Sequence, residues 1–94
     1  MGAAYRVVFE EKAKKQLTKL DKPQRVLLLG WIRKNLEGCS DPYAVSNSKS
    51  LVGVERGIRY RVGNYRILCV VNDEWIEIKV FKVGHRSDVY RNST

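Results

Sequence analysis

The chain has 94 residues, enough for one small domain near the lower size limit at which a chain buries a sufficient core by itself. An apolar content of 44% argues against wholesale disorder, and no apolar run approaches the length of a signal peptide or a membrane-spanning helix. The 18 Lys and Arg against 10 Asp and Glu give a net charge of +8, which favours nucleic acid, an anionic surface or an acidic protein as partner. We therefore expect one domain over residues 1–94, in the cytoplasm.

The cysteine and histidine content argues against a metal centre. Cys39 and Cys69 have no CxxC spacing, and His85 is the only histidine, so the chain lacks a metal-ligand set. It also lacks a GxxxxGK[ST] loop for nucleotide phosphates. We expect two free thiols, no metal and no cofactor.

The N-terminal part of the chain predicts a strand followed by a helix. Residues 5–9 (Y-R-V-V-F) are β-branched and aromatic, as in a short strand. Residues 10–20 carry apolar side chains at the i, i+4, i+7 spacing of an amphipathic helix. These apolar positions are Ala13, Leu17 and Leu20.

A second helix is predicted from Asp21, as its cap, to about Glu37, with Pro23 in the first turn. Its apolar residues extend around much of the cylinder, so we expect the first helix and a sheet to cover it on two sides. Gly30 costs about 1 kcal/mol relative to Ala inside a helix, and we expect it to allow close helix packing. The apolar stripe comprises Val26, Leu29, Ile32 and Leu36, extended by Leu27 and Trp31.

Residues 38–50 are rich in turn formers and predict a loop. After a further turn around Gly53 and Gly57, residues 58–66 (I-R-Y-R-V-G-N-Y-R) predict a β-hairpin, because Gly63 can supply the positive φ of a two-residue turn with Asn64. The predicted register places Val62 opposite Tyr65, Arg61 opposite Arg66, Tyr60 opposite Ile67 and Arg59 opposite Leu68.

The hairpin register separates its arginines from its apolar residues. Strand side chains alternate between faces, so Arg59, Arg61 and Arg66 share one face, while the apolar residues share the other. Like charges directly opposite each other destabilise a sheet. We therefore expect an anion to bind on this face.

A second tight turn at residues 72–74 leads into a last strand over residues 75–83. The element order is β-α-α-β-β-β, an α+β domain with two helices packed on a small, mostly antiparallel sheet. Uninterrupted alternation in the last strand puts Ile76, Ile78 and Val80 on the core face and Glu77, Lys79, Phe81 and Val83 on the arginine-bearing face.

The arginines suit phosphate chemistry, because a guanidinium group is planar, always charged and able to form bidentate phosphate contacts. RNA cleavage by the 2′-hydroxyl needs no metal; it needs a proton acceptor, cations around the phosphate and a proton donor for the leaving oxygen. The tail supplies His85, Arg86 and Tyr90 as candidates. From the residues alone, a ribonuclease and a non-catalytic anion-binding module both stay open.

Three segments together resemble one known family. They are residues 20–23 (L-D-K-P) between the helices, residues 58–67 (I-R-Y-R-V-G-N-Y-R-I) and residues 80–90 (V-F-K-V-G-H-R-S-D-V-Y). In order and length, across nearly the whole chain, they look like the RelE branch of the RelE/ParE toxin superfamily. The resemblance implies a type II toxin that enters the ribosomal A site and cuts mRNA there, and that a small, acidic, RelB-like antitoxin holds inactive in a hetero-oligomeric complex.

The resemblance also implies roles for single residues. Arg59 and Arg61 match the basic pair before the hairpin turn. Arg66 matches the arginine after the turn, which contacts and stabilises the scissile phosphate. Arg86 matches a tail arginine that stabilises the phosphate or protonates the leaving group.

Proton transfer is left with two candidates. An arginine is too strong a conjugate acid to serve readily as a general base, so the base is either His85 or Tyr90, and Tyr90 also matches a tyrosine that stacks on a substrate base. Lys79 and Lys82 join Arg59 and Arg61 as RNA-binding candidates, whereas Glu77 is expected to be an ion-pair partner for the arginines. Two other functions stay open: a ParE-type inhibitor of DNA gyrase without nuclease activity, and an anion-binding module.

Overall fold

The computed structural model describes residues 3–89. Two helices and five strands follow one another in the order β-α-α-β-β-β-β, with a 3-10 turn at Pro42–Ala44 before the second strand. The elements are β1 (Arg6–Phe9), α1 (Glu11–Thr18), α2 (Lys22–Asn35), β2 (Ser48–Ser50), β3 (Gly57–Val62), β4 (Tyr65–Asn72) and β5 (Glu77–His85).

The five strands form one sheet in the order β1-β5-β4-β3-β2. β1 pairs with β5 in parallel, and the other three pairs are antiparallel. Because α1 and α2 contribute buried side chains to the same cluster as β3, β4 and β5, both helices cover one face of the sheet. The predicted α+β architecture is confirmed.

β2 was missed in the loop predicted for residues 38–50. Its three residues, Ser-Lys-Ser, are polar and too few to show alternation. They form a strand because β3 offers them a partner, with Lys49 opposite Arg59 and Ser50 opposite Ile58. The pairing is therefore a tertiary effect that local propensity does not report.

The β3–β4 hairpin has the predicted register at all four pairs, from Val62 opposite Tyr65 to Arg59 opposite Leu68. Gly63 has a φ of 60°, the left-handed conformation that a two-residue turn requires and that glycine adopts without steric cost. The local sequence was sufficient here because the turn chemistry and the alternation specify the same pairing.

The last strand differs from the prediction because it contains a β-bulge. Leu68 is opposite Lys82, but Cys69 is opposite Val80, so Phe81 is an extra residue. A bulge reverses the alternation beyond it. Val83 therefore lies in the core rather than beside the arginines, and Lys82 takes the arginine-bearing side.

The β4–β5 turn is longer than predicted. It occupies residues 73–76, and β5 begins at Glu77 rather than Trp75. Ile76, expected on the core face, has a φ of 52° and is 38% exposed. A β-branched residue with positive φ cannot continue a strand, so the alternation begins after it.

Helix α2 buries a narrower stripe than predicted. Leu28, Ile32 and Leu36 are buried, whereas Val26 and Leu27 are 58% and 56% exposed. The helix therefore packs on the core along one side, and α1 packs against β5. The prediction of a helix covered on two sides is wrong, and among the residues 3–89 nothing covers its outer apolar positions.

Two smaller predictions about α2 are also corrected. Asp21 occupies the N-cap position, but its side chain makes no capping hydrogen bond. Gly30 is exposed, and a Cβ added there would meet no atom within 4 Å. Close helix packing at Gly30 is therefore wrong, because this side of the helix has no neighbour.

The core lies between the helices and the sheet. Tyr60 is fully buried, packs against the Trp31 ring with the centroids 5.5 Å apart and the ring planes tilted by 52°, and donates a 2.6 Å hydrogen bond to the Pro42 carbonyl. Both cysteines are free thiols, with Cys69 fully buried. No helix within residues 3–89 has the length and apolar character needed to cross a bilayer.

Candidate nucleic-acid interface

The sheet face opposite the helices carries most of the predicted site. Directly opposite residues on paired strands point to the same face, so the observed register defines this surface. We call it the arginine face, and its cations are Arg6, Lys49, Arg59, Arg61, Arg66, Lys79 and Lys82, of which Arg6 pairs with Glu77.

Five of these cations form two adjacent rows across the strands. The first row contains Arg61 on β3, Arg66 on β4 and Gly84 on β5. The second row is continuous over four strands. It consists of Lys49, Arg59, Leu68 and Lys82.

Arg66 is anchored at the end of the hairpin. Its Nη1 donates hydrogen bonds to the carbonyls of Gly63, at 3.1 Å, and Tyr65, at 2.9 Å. The side chain is half-buried, so its position is restricted before any ligand binds. Fixed charges of this kind stabilise a developing negative charge without reorganisation during the reaction.

Arg59 lies in the second row, farther from the hairpin turn than Arg66, and one of its hydrogen-bond donors has no acceptor within residues 3–89. Its side chain is half-buried, and its Nε is buried with no hydrogen-bond partner in the described part of the chain. Its neighbour in the second row, Leu68, is only 5% exposed although it lies outside the main core cluster. Arg59 and Lys82 lie directly opposite Leu68 on the two neighbouring strands, and the stems of long cationic side chains commonly cover apolar surface.

The C-terminal turn is tied to the hairpin. The backbone N–H of Arg86 donates a 2.7 Å hydrogen bond to the Asn64 carbonyl. Val89 is buried and lies over Gly84, where an added Cβ would be 3.8 Å from it. Since Gly84 is opposite Arg66, this turn brings Arg86 to the end of the arginine face that Arg61 and Arg66 occupy.

His85 lies on the other face of the sheet. It is opposite Tyr65, on the core-facing side, and the two rings form an edge-on contact with centroids 5.6 Å apart. The backbone N–H of Ser87 donates to His85 Nδ1 at 3.1 Å, and the Ser87 hydroxyl is 2.8 Å from the same nitrogen. Because Nδ1 accepts a backbone N–H, the neutral ring carries its proton on Nε2, and its basic nitrogen is occupied within the turn.

Two other predicted residues have different outcomes. Glu77 does pair with an arginine, at 3.5 Å, but that arginine is Arg6 on β1, at the opposite end of β5 from the hairpin turn. Tyr90 lies outside the described residues. Lys49 was missed as a site residue because only its pairing in β2 places it beside Arg59.

The buried titratable groups belong to the core rather than to this surface. Burial raises the pKa of the Cys69 thiol and of the Tyr60 hydroxyl, and it also raises the pKa of Cys39. All three stay protonated at neutral pH. A cysteine nucleophile is thereby disfavoured, because the thiolate is the reactive form, and the chemistry available at the arginine face is that of fixed cations.

Comparison with known proteins gives one family and a consistent set of structures. The family model for the "ParE toxin of type II toxin-antitoxin system, parDE" matches residues 7–90. No curated protein sequence matches the chain.

Several solved structures share the fold. The RelBE2 toxin–antitoxin complex of Mycobacterium tuberculosis matches with a TM-score of 0.76 and 25% identity, over 92% of this chain and 95% of that chain. The isolated E. coli RelE toxin matches with a TM-score of 0.70 and 28% identity, over 96% and 95%. The RelE–RelB complex of Pyrococcus horikoshii OT3 matches with a TM-score of 0.72 and 28% identity, over 90% and 98%.

The family match and the structural matches agree with the resemblance seen in the sequence motifs. The matched segment includes both helices, all five strands and the tail motif. The chain therefore belongs to the ParE toxin family of type II toxin–antitoxin systems, within the RelE/ParE superfamily, and has a RelE-like fold.

Proposed function

We propose that this toxin is a ribosome-dependent endoribonuclease that cleaves mRNA in the A site by attack of the 2′-hydroxyl on the adjacent phosphate. The observation that carries the proposal is the cation pair Arg61 and Arg66, held directly opposite each other at the hairpin end, with Arg86 tethered beside them. Two adjacent cations attract an anionic ligand, and a scissile phosphate is such a ligand.

Each cation has a distinct part in this mechanism. Arg66, anchored by two carbonyls, stabilises the negative charge that builds up on the phosphate during in-line attack. Arg61 binds the same phosphate from the neighbouring strand. Arg86 neutralises the departing 5′-oxygen, because its turn approaches the same end of the sheet.

The remaining requirement is a group that accepts the 2′-hydroxyl proton. His85 is poorly suited, since its Nδ1 already accepts hydrogen bonds from Ser87 and its ring lies against Tyr65. We therefore assign His85 to holding the turn and Tyr90, as its phenolate, to accepting the 2′-hydroxyl proton, while the departing 5′-oxygen takes up a proton from solvent. Tyr90 follows Val89, the residue packed over Gly84 beside Arg66.

The proposed partners follow from the same surface. An acidic, RelB-like antitoxin would cover the cations of the arginine face and the apolar Val70 and Phe81 near them, in a hetero-oligomer in the cytoplasm. The Mycobacterium tuberculosis and Pyrococcus horikoshii structures are toxin–antitoxin complexes, which supports this assignment.

Cleavage of mRNA on purified ribosomes tests the nuclease proposal. Wild-type toxin should cut mRNA only when it is bound to ribosomes with an open A site, and Arg66→Ala should lower the cleavage rate by about 10²–10³-fold, as for loss of one transition-state donor. Lys14→Ala, an exposed change on α1 away from the sheet, is the matched control. If Arg66→Ala cleaves as fast as this control, the mechanism is wrong.

The family match favours one alternative function. A ParE-type toxin would inhibit DNA gyrase without cleaving RNA, and the matching family model is that of ParE toxins. This alternative predicts reduced supercoiling by purified gyrase while translation in a purified system continues. The two assays, run with the same preparation, separate the two functions.

A further inference from the structure

Strand β2 presents one long side chain, and it points to the arginine face. Lys49 is exposed and lies opposite Arg59, while the flanking Ser48 and Ser50 are small and alternate to the other side. The proposed mechanism uses Arg61, Arg66 and Arg86 but gives Lys49 no part.

Lys49 completes the second row of the arginine face. Its members Lys82, Leu68, Arg59 and Lys49 cross four neighbouring strands, so their backbones span about 14 Å at the usual strand spacing. Within the strands on this face, the one acidic residue is Glu77, which pairs with Arg6 at the far end of β5. Strands β2 and β3, which carry Lys49 and Arg59, contain no acidic residue.

The two rows have a spacing that suits a nucleic-acid backbone. Arg59 precedes Arg61 by two residues on β3, which separates the rows by about 7 Å. Neighbouring phosphates in an extended single strand are separated by a similar distance. If the first row holds the scissile phosphate, the second row lies where the next phosphate passes.

Arg59 supplies an independent indication of a ligand in this row. Its buried Nε has no acceptor in the described part of the chain, and a buried donor left without a partner is costly. A phosphate bound between Arg59 and Lys49 would draw the half-buried guanidinium group outward and give this donor an acceptor.

We propose that Lys49 is a further substrate-binding residue: together with Arg59 it binds the mRNA phosphate next to the scissile one, so that the RNA backbone crosses from the first row to the second. This inference rests on the proposed ribonuclease function. It gives the toxin a footprint of at least two phosphates, extending to the edge strand of the sheet.

A purely structural explanation exists for a lysine on this strand, since charged residues on edge strands prevent unwanted strand pairing. The two explanations differ in the sign of charge they require. Edge protection works with either sign, whereas phosphate binding requires a cation. Lys49→Glu and Lys49→Arg therefore distinguish them.

The test is cleavage of mRNA on programmed ribosomes at increasing toxin concentration. Lys49→Glu should raise the half-saturating toxin concentration by roughly tenfold, Lys49→Arg should stay within about twofold of wild type, and the saturated rate should be unchanged in both. Lys14→Glu, which changes the net charge equally away from the sheet, is the control. If Lys49→Glu and Lys14→Glu behave alike, the inference is overturned while the ribonuclease function stands.

A second measurement locates the phosphate. In mRNAs with one neutral methylphosphonate linkage, scanned over three positions on each side of the cleavage site, the effect of Lys49→Ala should disappear at the linkage adjacent to the scissile one and persist elsewhere. If the effect of Lys49→Ala on cleavage persists with the neutral linkage at every position, the inference is overturned. If wild-type toxin does not cleave programmed ribosomes at all, the proposed function fails and the inference fails with it.

Discussion

The arginine face gains its chemistry from where individual guanidinium groups are held. Arg66 is fixed by two backbone carbonyls of its own hairpin, whereas Arg59 retains a buried donor without a partner. Arg61 is exposed. The same residue type therefore provides an anchored cation, a cation with an unpartnered donor and a solvent-exposed cation within one small surface, which suits a phosphate that must be both bound and stabilised.

His85 allows a prediction at the same scale. Because its Nδ1 acts as an acceptor for Ser87, an asparagine, whose side-chain oxygen can also accept, should replace it with little loss. We expect His85→Asn to keep the cleavage rate on ribosomes within about threefold of wild type, whereas Tyr90→Phe should lose about 10²–10⁴-fold, the usual contribution of general acid–base catalysis. A loss of that size in His85→Asn with normal thermal stability would instead identify His85 as the base.

Only one side of helix α2 packs against the rest of the fold. Its inner side contributes Leu28, Ile32 and Leu36 to the core, while Val26 and Leu27 remain exposed. The helix nevertheless protects the edge of the sheet. Glu37, just beyond its end, accepts a 3.0 Å hydrogen bond from the otherwise unpaired N–H of Val7 on the edge strand β1, which limits pairing of that edge with another chain.

Gly30 gives a stability prediction for this element. It is exposed in the helix interior, and no atom lies within 4 Å of an added Cβ, so Gly30→Ala should stabilise the fold by about 1 kcal/mol through helix propensity and reduced unfolded-state entropy. Thermal denaturation should then show a Tm higher by roughly 4–8 °C. Gly63→Ala, at a φ of 60° in the hairpin turn, should instead lower the Tm. A lower Tm for Gly30→Ala would mean that this side of α2 has a neighbour.

At the scale of the whole molecule, the fold separates two functions of the sheet. One face builds the core with the helices, and the other face collects the cations that contribute to the net charge of +8. The site cations that the structure brings together lie between residues 49 and 86, and the tail turn joins them because the N–H of Arg86 is bonded to the hairpin at Asn64. The surface is consequently open to a large anionic partner such as RNA or an acidic protein.

This charge separation predicts how the antitoxin should bind. The association rate constant of the toxin with an acidic antitoxin should be about 10–100-fold lower at 0.5 M salt than at low salt, because salt screens electrostatic steering. Stopped-flow or surface-based kinetics would measure it, with Arg61→Ala reducing the salt dependence and Lys14→Ala changing it less. An association rate indifferent to ionic strength would contradict binding at the arginine face.

The extent to which the sequence predicted this protein depended on how local each feature is. The hairpin register was correct at every pair because the Gly-Asn turn and the alternation both act within about ten residues. The predicted stripe of α2 was right at Ile32 and Leu36 and wrong at Val26, because Val26 and Leu28 are both apolar and only the position of the sheet decides which of them is buried. The bulge at Phe81 was missed although the run carries a trace of it: the polar residues lie at positions 77 and 79 before it and at position 82 after it, so the alternation changes phase there.

By itself, the sequence determined the α+β class, the arginines of the hairpin and the family motifs that surround them. Tertiary structure alone decided that Lys82 and Lys49 lie on the arginine face, that Val83 and His85 lie on the opposite face, and that Arg86 is tied to the hairpin. The physical reason is common to these cases. Each depends on hydrogen bonds between segments distant in sequence, and their free energy is gained only when the sheet is assembled.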